Sequence, residues 1–116
     1  VLDACFDPEP WPRDFLTRGG GILGYRPSAY IAASSDIVAS HPSIEALTAY
    51  YGEGLSTPGA ILYGAQDTLL SPQVHGEAMA KYGIPCEMVE GRGHMLPITD
   101  PATCSAFVRK LEKGVA

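Results

Sequence analysis

Two short apolar runs in the second half of the chain have the pattern of strands. Residues 59–63 are apolar without interruption and lie between Pro58 and Gly64, which is typical of a strand buried in a parallel sheet. Residues 86–89 alternate between apolar and polar side chains, as a strand near the edge of a sheet does. The pattern therefore predicts one strand in each run.

Helical spacing of the apolar positions follows each of these two runs. Residues 71–82 and the segment from 100 onwards each place apolar side chains on one face, and they begin with Ser-Pro and Asp-Pro, pairs that suit a helix N-terminus. A strand–helix–strand–helix unit with short connections forms a parallel sheet through a right-handed crossover. The fold class predicted for this part of the chain is therefore α/β.

The first half of the chain has a different pattern. Residues 1–8 begin with an apolar run that predicts one more core strand. Residues 9–55 are rich in proline and glycine, and they contain two segments of helical spacing, 28–40 and 43–51, separated by a His-Pro pair. We therefore expect a helical insertion at 9–55 between the strand of 1–8 and the α/β part at 56–116.

Two residues that follow the ends of the later strands are the candidate catalytic residues. Asp67 follows the first of these strands and His94 follows the second, 27 residues further on. Both loops leave the carboxyl ends of parallel strands, which meet at one edge of a sheet, so the two side chains are expected to lie within reach of each other. An imidazole oriented by a carboxylate acts as a general base. The simpler alternatives are that Asp67 caps a turn and that His94 is an ordinary loop histidine.

These two loops resemble a known family. Residues 62–67 (LYGAQD), followed by 93–97 (GHMLP) and a final amphipathic helix, are similar to the carboxyl-terminal part of an α/β-hydrolase-fold protein, whose chain order is nucleophile, acid, histidine. The resemblance implies that Asp67 is the acid and His94 the base of a catalytic triad. It also implies that 9–55 is a cap inserted into the parallel sheet. Some members of the family place the acid earlier, which makes Asp3 and Asp7 alternative acids.

The family's nucleophile is absent from this sequence. A G-x-S-x-G turn holds it, and none of the eight serines has glycine two residues before and two residues after it. The chain begins with valine, and its hydrophobic fraction of 46% is high for 116 residues. We therefore expect a fragment whose partner, an amino-terminal chain of the same gene product, supplies the nucleophile and the oxyanion hole.

The resemblance also suggests a substrate pocket beneath the cap. Met95, next to His94, is one expected substrate-binding residue. For any single aromatic residue of the cap, packing within the cap itself is the more common role. The cap residues expected to line the pocket are Trp11, Phe15, Tyr25 and Tyr30.

The resemblance implies an enzyme, and three functions remain open. The leading one is a serine esterase-type hydrolase of a small ester. An aspartate nucleophile on the partner would instead give an epoxide hydrolase or a dehalogenase, and a cofactor-free C–C hydrolase is also compatible. A non-catalytic binding protein of the same fold is the third possibility, although retention of both acid and base favours catalysis.

Composition and charge limit the partners, cofactors and localisation that are expected. The net charge is −5 and no basic cluster is present, which argues against nucleic acid as a partner. No metal-ligand spacing, phosphate loop or dinucleotide fingerprint appears, so no cofactor is expected. No apolar run is long enough for a membrane span. Three cysteines without a pairing pattern suit a reducing cytoplasm, the localisation that we predict.

Overall fold

A computed structural model describes residues 2–114, and at positions 41, 42, 45, 53 and 54 it describes the backbone alone. The chain divides into two compact units. The sheet unit combines Val1–Trp11 with Ser56–Ala116, and the helical unit is Pro12–Leu55. Each unit is described by itself below.

The sheet unit contains two parallel strands. Strand β1 (Ile61–Gly64) pairs with strand β2 (Cys86–Val89), with Ile61 opposite Cys86 and Gly64 opposite Val89. Both strands lie within or close to the predicted runs, and their parallel pairing confirms the mixed α/β character predicted from the sequence. The carboxyl ends of both strands therefore reach the same edge of the sheet.

Two short helices, rather than one, connect the strands. Helix α3 (Pro72–His75) begins after Ser71, whose Oγ accepts a hydrogen bond from the Val74 amide at 3.3 Å, and a 3₁₀ helix follows at Glu77–Tyr82. The predicted continuous helix is interrupted at Gly76. A Cβ at this glycine would lie 2.7 Å from the Pro72 carbonyl oxygen and 2.8 Å from the Cys86 sulfur, so a larger residue there would force the helix or its packing against β2 to shift.

Helices α4 (Leu96–Thr99) and α5 (Pro101–Gly114) follow β2. The predicted start of the last helix is confirmed, since Asp100 Oδ1 accepts a hydrogen bond from the Thr103 amide at 3.1 Å, as an N-cap residue does. Leu96 is 4% exposed and lies in the core together with Phe6, which is fully buried. The histidine loop, residues 90–95, therefore lies between β2 and a buried helix start.

The start of the chain is a helix, so the predicted strand at 1–8 is wrong for the residues described. Helix α1 spans Leu2–Phe6, while Val1 lies outside the described residues. In the described part of the chain no third strand pairs with the sheet, so an extended segment here would leave backbone groups without partners. A helix satisfies them locally, and the Asp7 amide continues the pattern by donating to the Asp3 carbonyl at 2.9 Å.

The helical unit contains a 3₁₀ helix at Gly21–Tyr25 and one long helix, α2, at Pro27–Gly54. The predicted break at His41-Pro42 is wrong, because the backbone stays helical through both residues. A proline costs the helix one backbone hydrogen-bond donor. The alanine-rich residues on both sides favour the helix, and the helix continues despite that cost. Among the helices of residues 2–114, α2 included, none has both the length and the apolar character needed to cross a bilayer.

Candidate active site

The carboxyl edge of the sheet brings Asp67 and His94 together. Asp67 lies in the acid loop, residues 65–71, which follows β1, and His94 lies in the histidine loop, which follows β2. His94 Nδ1 lies 2.9 Å from Asp67 Oδ2. The contact predicted from the spacing and the parallel topology is therefore present in the structure.

Asp67 has a buried side chain that uses both of its oxygens. The side chain is 2% exposed. Its Oδ1 accepts hydrogen bonds from the amides of Leu69 at 2.9 Å and Leu70 at 3.0 Å, while Oδ2 faces His94. The two alternatives considered for this residue, a turn cap and a partner of histidine, are therefore both present in one carboxylate.

The charge state of Asp67 decides which nitrogen of His94 holds the proton. Burial by itself raises the pKa of Asp67, but the hydrogen bonds from the Leu70 amide, His94 and the Leu69 amide lower the pKa below its usual value overall. Asp67 is therefore ionised at neutral pH and accepts from Nδ1–H. Nε2 of the neutral ring then has the free lone pair of a base.

Tyr63, on β1, adds a polar group beside the pair. Burial, and after it the negative charge of Asp67, raises the pKa of Tyr63 above its usual value. The phenol is therefore protonated at neutral pH. Tyr63 and Asp67 line the same cavity at this edge of the sheet.

The His94 imidazole is partly exposed to solvent. The side chain is 33% exposed, and within residues 2–114 no hydrogen bond to Nε2 is found. Asp67 and His94 line a cavity of about 300 Å³. Its other lining residues are mostly apolar and include Leu62, Leu70, Leu96 and Pro97. A reacting group placed in this cavity would therefore meet the base in a mainly apolar environment.

The acid loop and the histidine loop are joined by Gln66. Its Oε1 accepts from the amides of Gly91 at 2.6 Å and Arg92 at 3.1 Å, and its Nε2 donates to Glu90 at 3.0 Å. The backbone N–H of Gln66 in turn donates to the backbone carbonyl of Arg92 at 2.9 Å. No local pattern in the sequence indicates this role, since a glutamine before an aspartate is not distinctive.

Two glycines allow the loops to approach this closely. A Cβ at Gly64 would collide with the carbonyl oxygen of Gly93, and a Cβ at Gly93 would collide with the carbonyl oxygen of Asp7. Gly91 has a φ of 73°, a conformation that side chains other than glycine rarely adopt. Gly64 and Gly93 are therefore required by contacts between segments that are distant in the chain, and Gly91 is required by its backbone conformation.

Two charged residues outside the pair, Glu9 and Asp100, contact the histidine loop. Glu9 Oε2 accepts from the Gly93 amide at 2.8 Å. Arg92 reaches Glu9 through Nη1 at 3.5 Å and Asp100 through Nε at 3.2 Å. The hydrogen bonds from Thr103, and after them the Arg92 charge, lower the pKa of Asp100. No local pattern predicts contacts between residues 9 and 92.

The residues expected to bind substrate are spread over both units. Trp11 lies in the sheet unit and donates from Nε1 to Asp3 Oδ1 at 3.1 Å, and Met95 lies there half-buried at the start of α4. Neither lines the cavity. The other three, Phe15, Tyr25 and Tyr30, belong to the helical unit.

Within the helical unit these three residues differ. A Cβ at Gly21 would lie 2.7 Å from Phe15 Cε1, so the Phe15 ring packs inside its own unit. Tyr25 and Tyr30 are 45% and 56% exposed. Substrate binding by these residues stays a prediction.

No metal site accompanies the pair in the part of the chain that the structure describes. Groups of three or more histidine, cysteine, aspartate or glutamate side chains able to hold a metal ion are absent there. Cys5, Cys86 and Cys104 are half-buried free thiols. Side chains with polar or titratable groups that line the cavity include Tyr63, Asp67, His94 and Cys104.

Fold and site together define a small parallel α/β unit with an Asp–His pair at the carboxyl edge of its sheet. No family model, no curated protein and no solved structure matches this chain. The function is therefore inferred from the contacts of the pair.

Proposed function

We propose that this chain is the acid–base half of an α/β-hydrolase that cleaves a small ester. In this proposal His94 is the general base, Asp67 orients it, and a serine from outside residues 1–116 is the nucleophile. One observation supports the proposal above all others. His94 Nδ1 is paired with a buried carboxylate at 2.9 Å, while Nε2 has no such contact among the described residues.

The geometry suits proton transfer through His94. Nε2 accepts the proton of the serine hydroxyl as its oxygen attacks the ester carbonyl, and then donates that proton to the leaving alcohol. The resulting acyl-enzyme is hydrolysed when Nε2 takes a proton from water and returns it to the serine oxygen. Throughout, the charge of Asp67 stabilises the imidazolium and holds Nδ1 in its donor form.

The sequence indicates that the nucleophile comes from outside this chain. None of the serines lies in a G-x-S-x-G turn, so a second polypeptide segment has to place one beside Nε2. We propose that this segment is the amino-terminal part of the same gene product. It would also supply the oxyanion hole, because stabilisation of the oxyanion is a large part of ester hydrolysis.

The test uses the native assembly purified around this chain. Its mass is compared with the mass under denaturing conditions, and any second polypeptide is sequenced. Hydrolysis of 4-nitrophenyl butyrate and labelling by a fluorophosphonate, which reacts with activated serines, are then measured. We expect His94→Ala to lower kcat by about a thousandfold or more and to abolish labelling.

His75→Ala is the matched control, because His75 is an exposed histidine of the same unit and should leave both signals unchanged. Turnover that survives His94→Ala contradicts the proposal. A second polypeptide with aspartate at its nucleophile turn would replace the esterase by an epoxide hydrolase or dehalogenase. Ligand binding without turnover would indicate a binding protein.

A further inference from the structure

The three residues before His94 are held by side chains from two distant segments. The amides of Gly91 and Arg92 donate to Gln66 Oε1, and the amide of Gly93 donates to Glu9 Oε2 at 2.8 Å. Three successive backbone N–H groups therefore have side-chain acceptors. The last of the three belongs to the residue directly before His94. Of the three held amides, it is therefore the one closest to the imidazole along the chain.

Glu9 is placed to hold this amide firmly. Its side chain is 10% exposed, and its second oxygen lies 3.5 Å from Arg92 Nη1. The backbone beside it also packs against the loop, because the Asp7 carbonyl occupies the space that a Cβ at Gly93 would need. A hydrogen bond to a charged acceptor is stronger than one to a neutral acceptor, and partial burial protects it from water.

Arg92 connects this carboxylate to the start of α5. Its guanidinium lies between Glu9 and Asp100, with Nε 3.2 Å from Asp100 Oδ2. The side chain of Arg92 is 36% exposed, so the ion pairs by themselves contribute modestly to stability. Their effect is geometric, since they fix the direction in which the Glu9 carboxylate faces the loop.

We propose that Glu9 is a positioning residue for His94, which keeps the imidazole against Asp67 by holding the Gly93 amide. The inference deepens the proposed function, on which it rests for the role of His94 as a base. Glu9 does not touch the imidazole, and it acts through the backbone of one neighbouring residue.

The test measures the Nδ1–H proton of His94 by NMR in the 116-residue chain. A proton held between Nδ1 and a carboxylate exchanges slowly with water, and loosening of the loop speeds the exchange. In Glu9→Ala we expect exchange of this proton and of the Gly93 amide to quicken about tenfold. Glu9→Gln retains an acceptor, so its rates should lie between those of the wild type and Glu9→Ala.

Glu112→Ala is the matched control, because it removes an exposed carboxylate from α5 of the same unit and should change neither rate. Exchange of the backbone amides of β1 and β2 is measured in the same spectra, because a loss of global stability would speed their exchange as well, whereas loosening of the histidine loop alone would not. Equal exchange in Glu9→Ala and Glu112→Ala overturns the proposal. If Glu9→Ala does not fold, Glu9→Gln and Glu112→Gln decide, and several-fold faster exchange is expected in Glu9→Gln alone.

The measurement needs no turnover, so it separates this inference from the proposed function. If Glu9→Ala speeds exchange of the Nδ1–H proton but His94→Ala keeps ester turnover, the positioning role stands and the hydrolase proposal fails. If His94→Ala abolishes turnover and the proton is unaffected by Glu9, the hydrolase stands and the positioning role fails.

Discussion

Asp67 has two structural roles that a single carboxylate can fill at once. Oδ1 accepts two backbone amides of the turn that follows, and Oδ2 faces His94. The turn fixes the plane of the carboxylate, so the second oxygen meets the imidazole without further ordering of the side chain. A residue that is both a cap and a partner of histidine therefore links local turn formation to the geometry of the site.

The depressed pKa of Asp67 predicts a pH-dependent contribution to stability. The folded pKa lies below the unfolded value, so the contribution is complete above the unfolded pKa, near 4, and is lost as the pH falls through the folded pKa. We expect Asp67→Asn to lower the free energy of unfolding by about 2 kcal/mol at neutral pH. The loss should be smaller in acid, once the pH has fallen through the lowered folded pKa and the wild-type carboxylate is protonated. Urea unfolding at both pH values measures the difference.

Asp36→Asn is the control for this experiment, because Asp36 is exposed on α2 and its replacement should leave stability nearly unchanged at either pH. A penalty for Asp67→Asn that is the same in neutral and acid solution would show that the charge of Asp67 is not the stabilising feature.

Among the elements of the sheet unit, the acid loop and the histidine loop behave as one structure. Strand pairing brings their starting points together, and Gln66 then bonds to Glu90, Gly91 and Arg92 of the opposite loop. The two loops are neighbours because β1 and β2 are parallel and in register. An amide side chain suits the position, since it accepts from backbone N–H groups and also donates to a carboxylate.

A charge swap tests this connection between the loops. Gln66→Glu keeps the acceptor for the two amides but places a second carboxylate against Glu90, so we expect a loss of about 1 kcal/mol in the free energy of unfolding. The double variant Gln66→Glu/Glu90→Gln restores one donor between the two side chains and should recover most of that loss. Urea unfolding of the wild type, both single variants and the double variant gives the coupling energy. A coupling energy near zero would argue against the contact.

Across the whole molecule, the described contacts of the Asp–His pair lie inside the sheet unit, although this unit is discontinuous in the chain. Val1–Trp11 supplies Glu9, and Ser56–Ala116 supplies both loops. The helical unit, Pro12–Leu55, lies between them in sequence. The pair should therefore depend on the first eleven residues more than on the forty-four that follow.

Excision of the helical unit tests this dependence. We expect a variant in which 12–55 is replaced by a flexible Gly/Ser linker of about 12 residues to keep the slowly exchanging Nδ1–H signal of His94. A second variant, which lacks 2–55, also loses Glu9 and should show faster exchange of this proton. If both variants lose the signal equally, the helical unit is required for the pair.

Local patterns in the sequence were sufficient to predict both strands, the capped starts of the helices after them, and the Asp67–His94 contact. Apolar periodicity and capping residues act over a few positions and can be read directly. The contact follows from topology, because a short crossover between parallel strands brings both loops to one edge. The predicted strand at 1–8 and the predicted break in α2 were wrong. The conformation of a short apolar run, or of the residues around a proline, depends on the contacts that surround it.

Only the tertiary structure decided how the histidine loop is held. Glu9 and Gln66 reach the loop from segments that are 84 and 25 residues away from their hydrogen-bonded partners, and neither residue type nor spacing indicates such a pairing. Contacts at that separation depend on how α1, β1 and β2 pack against each other. The sequence by itself determined which groups could perform acid–base chemistry, and the packing of distant segments determined which other groups hold them in place.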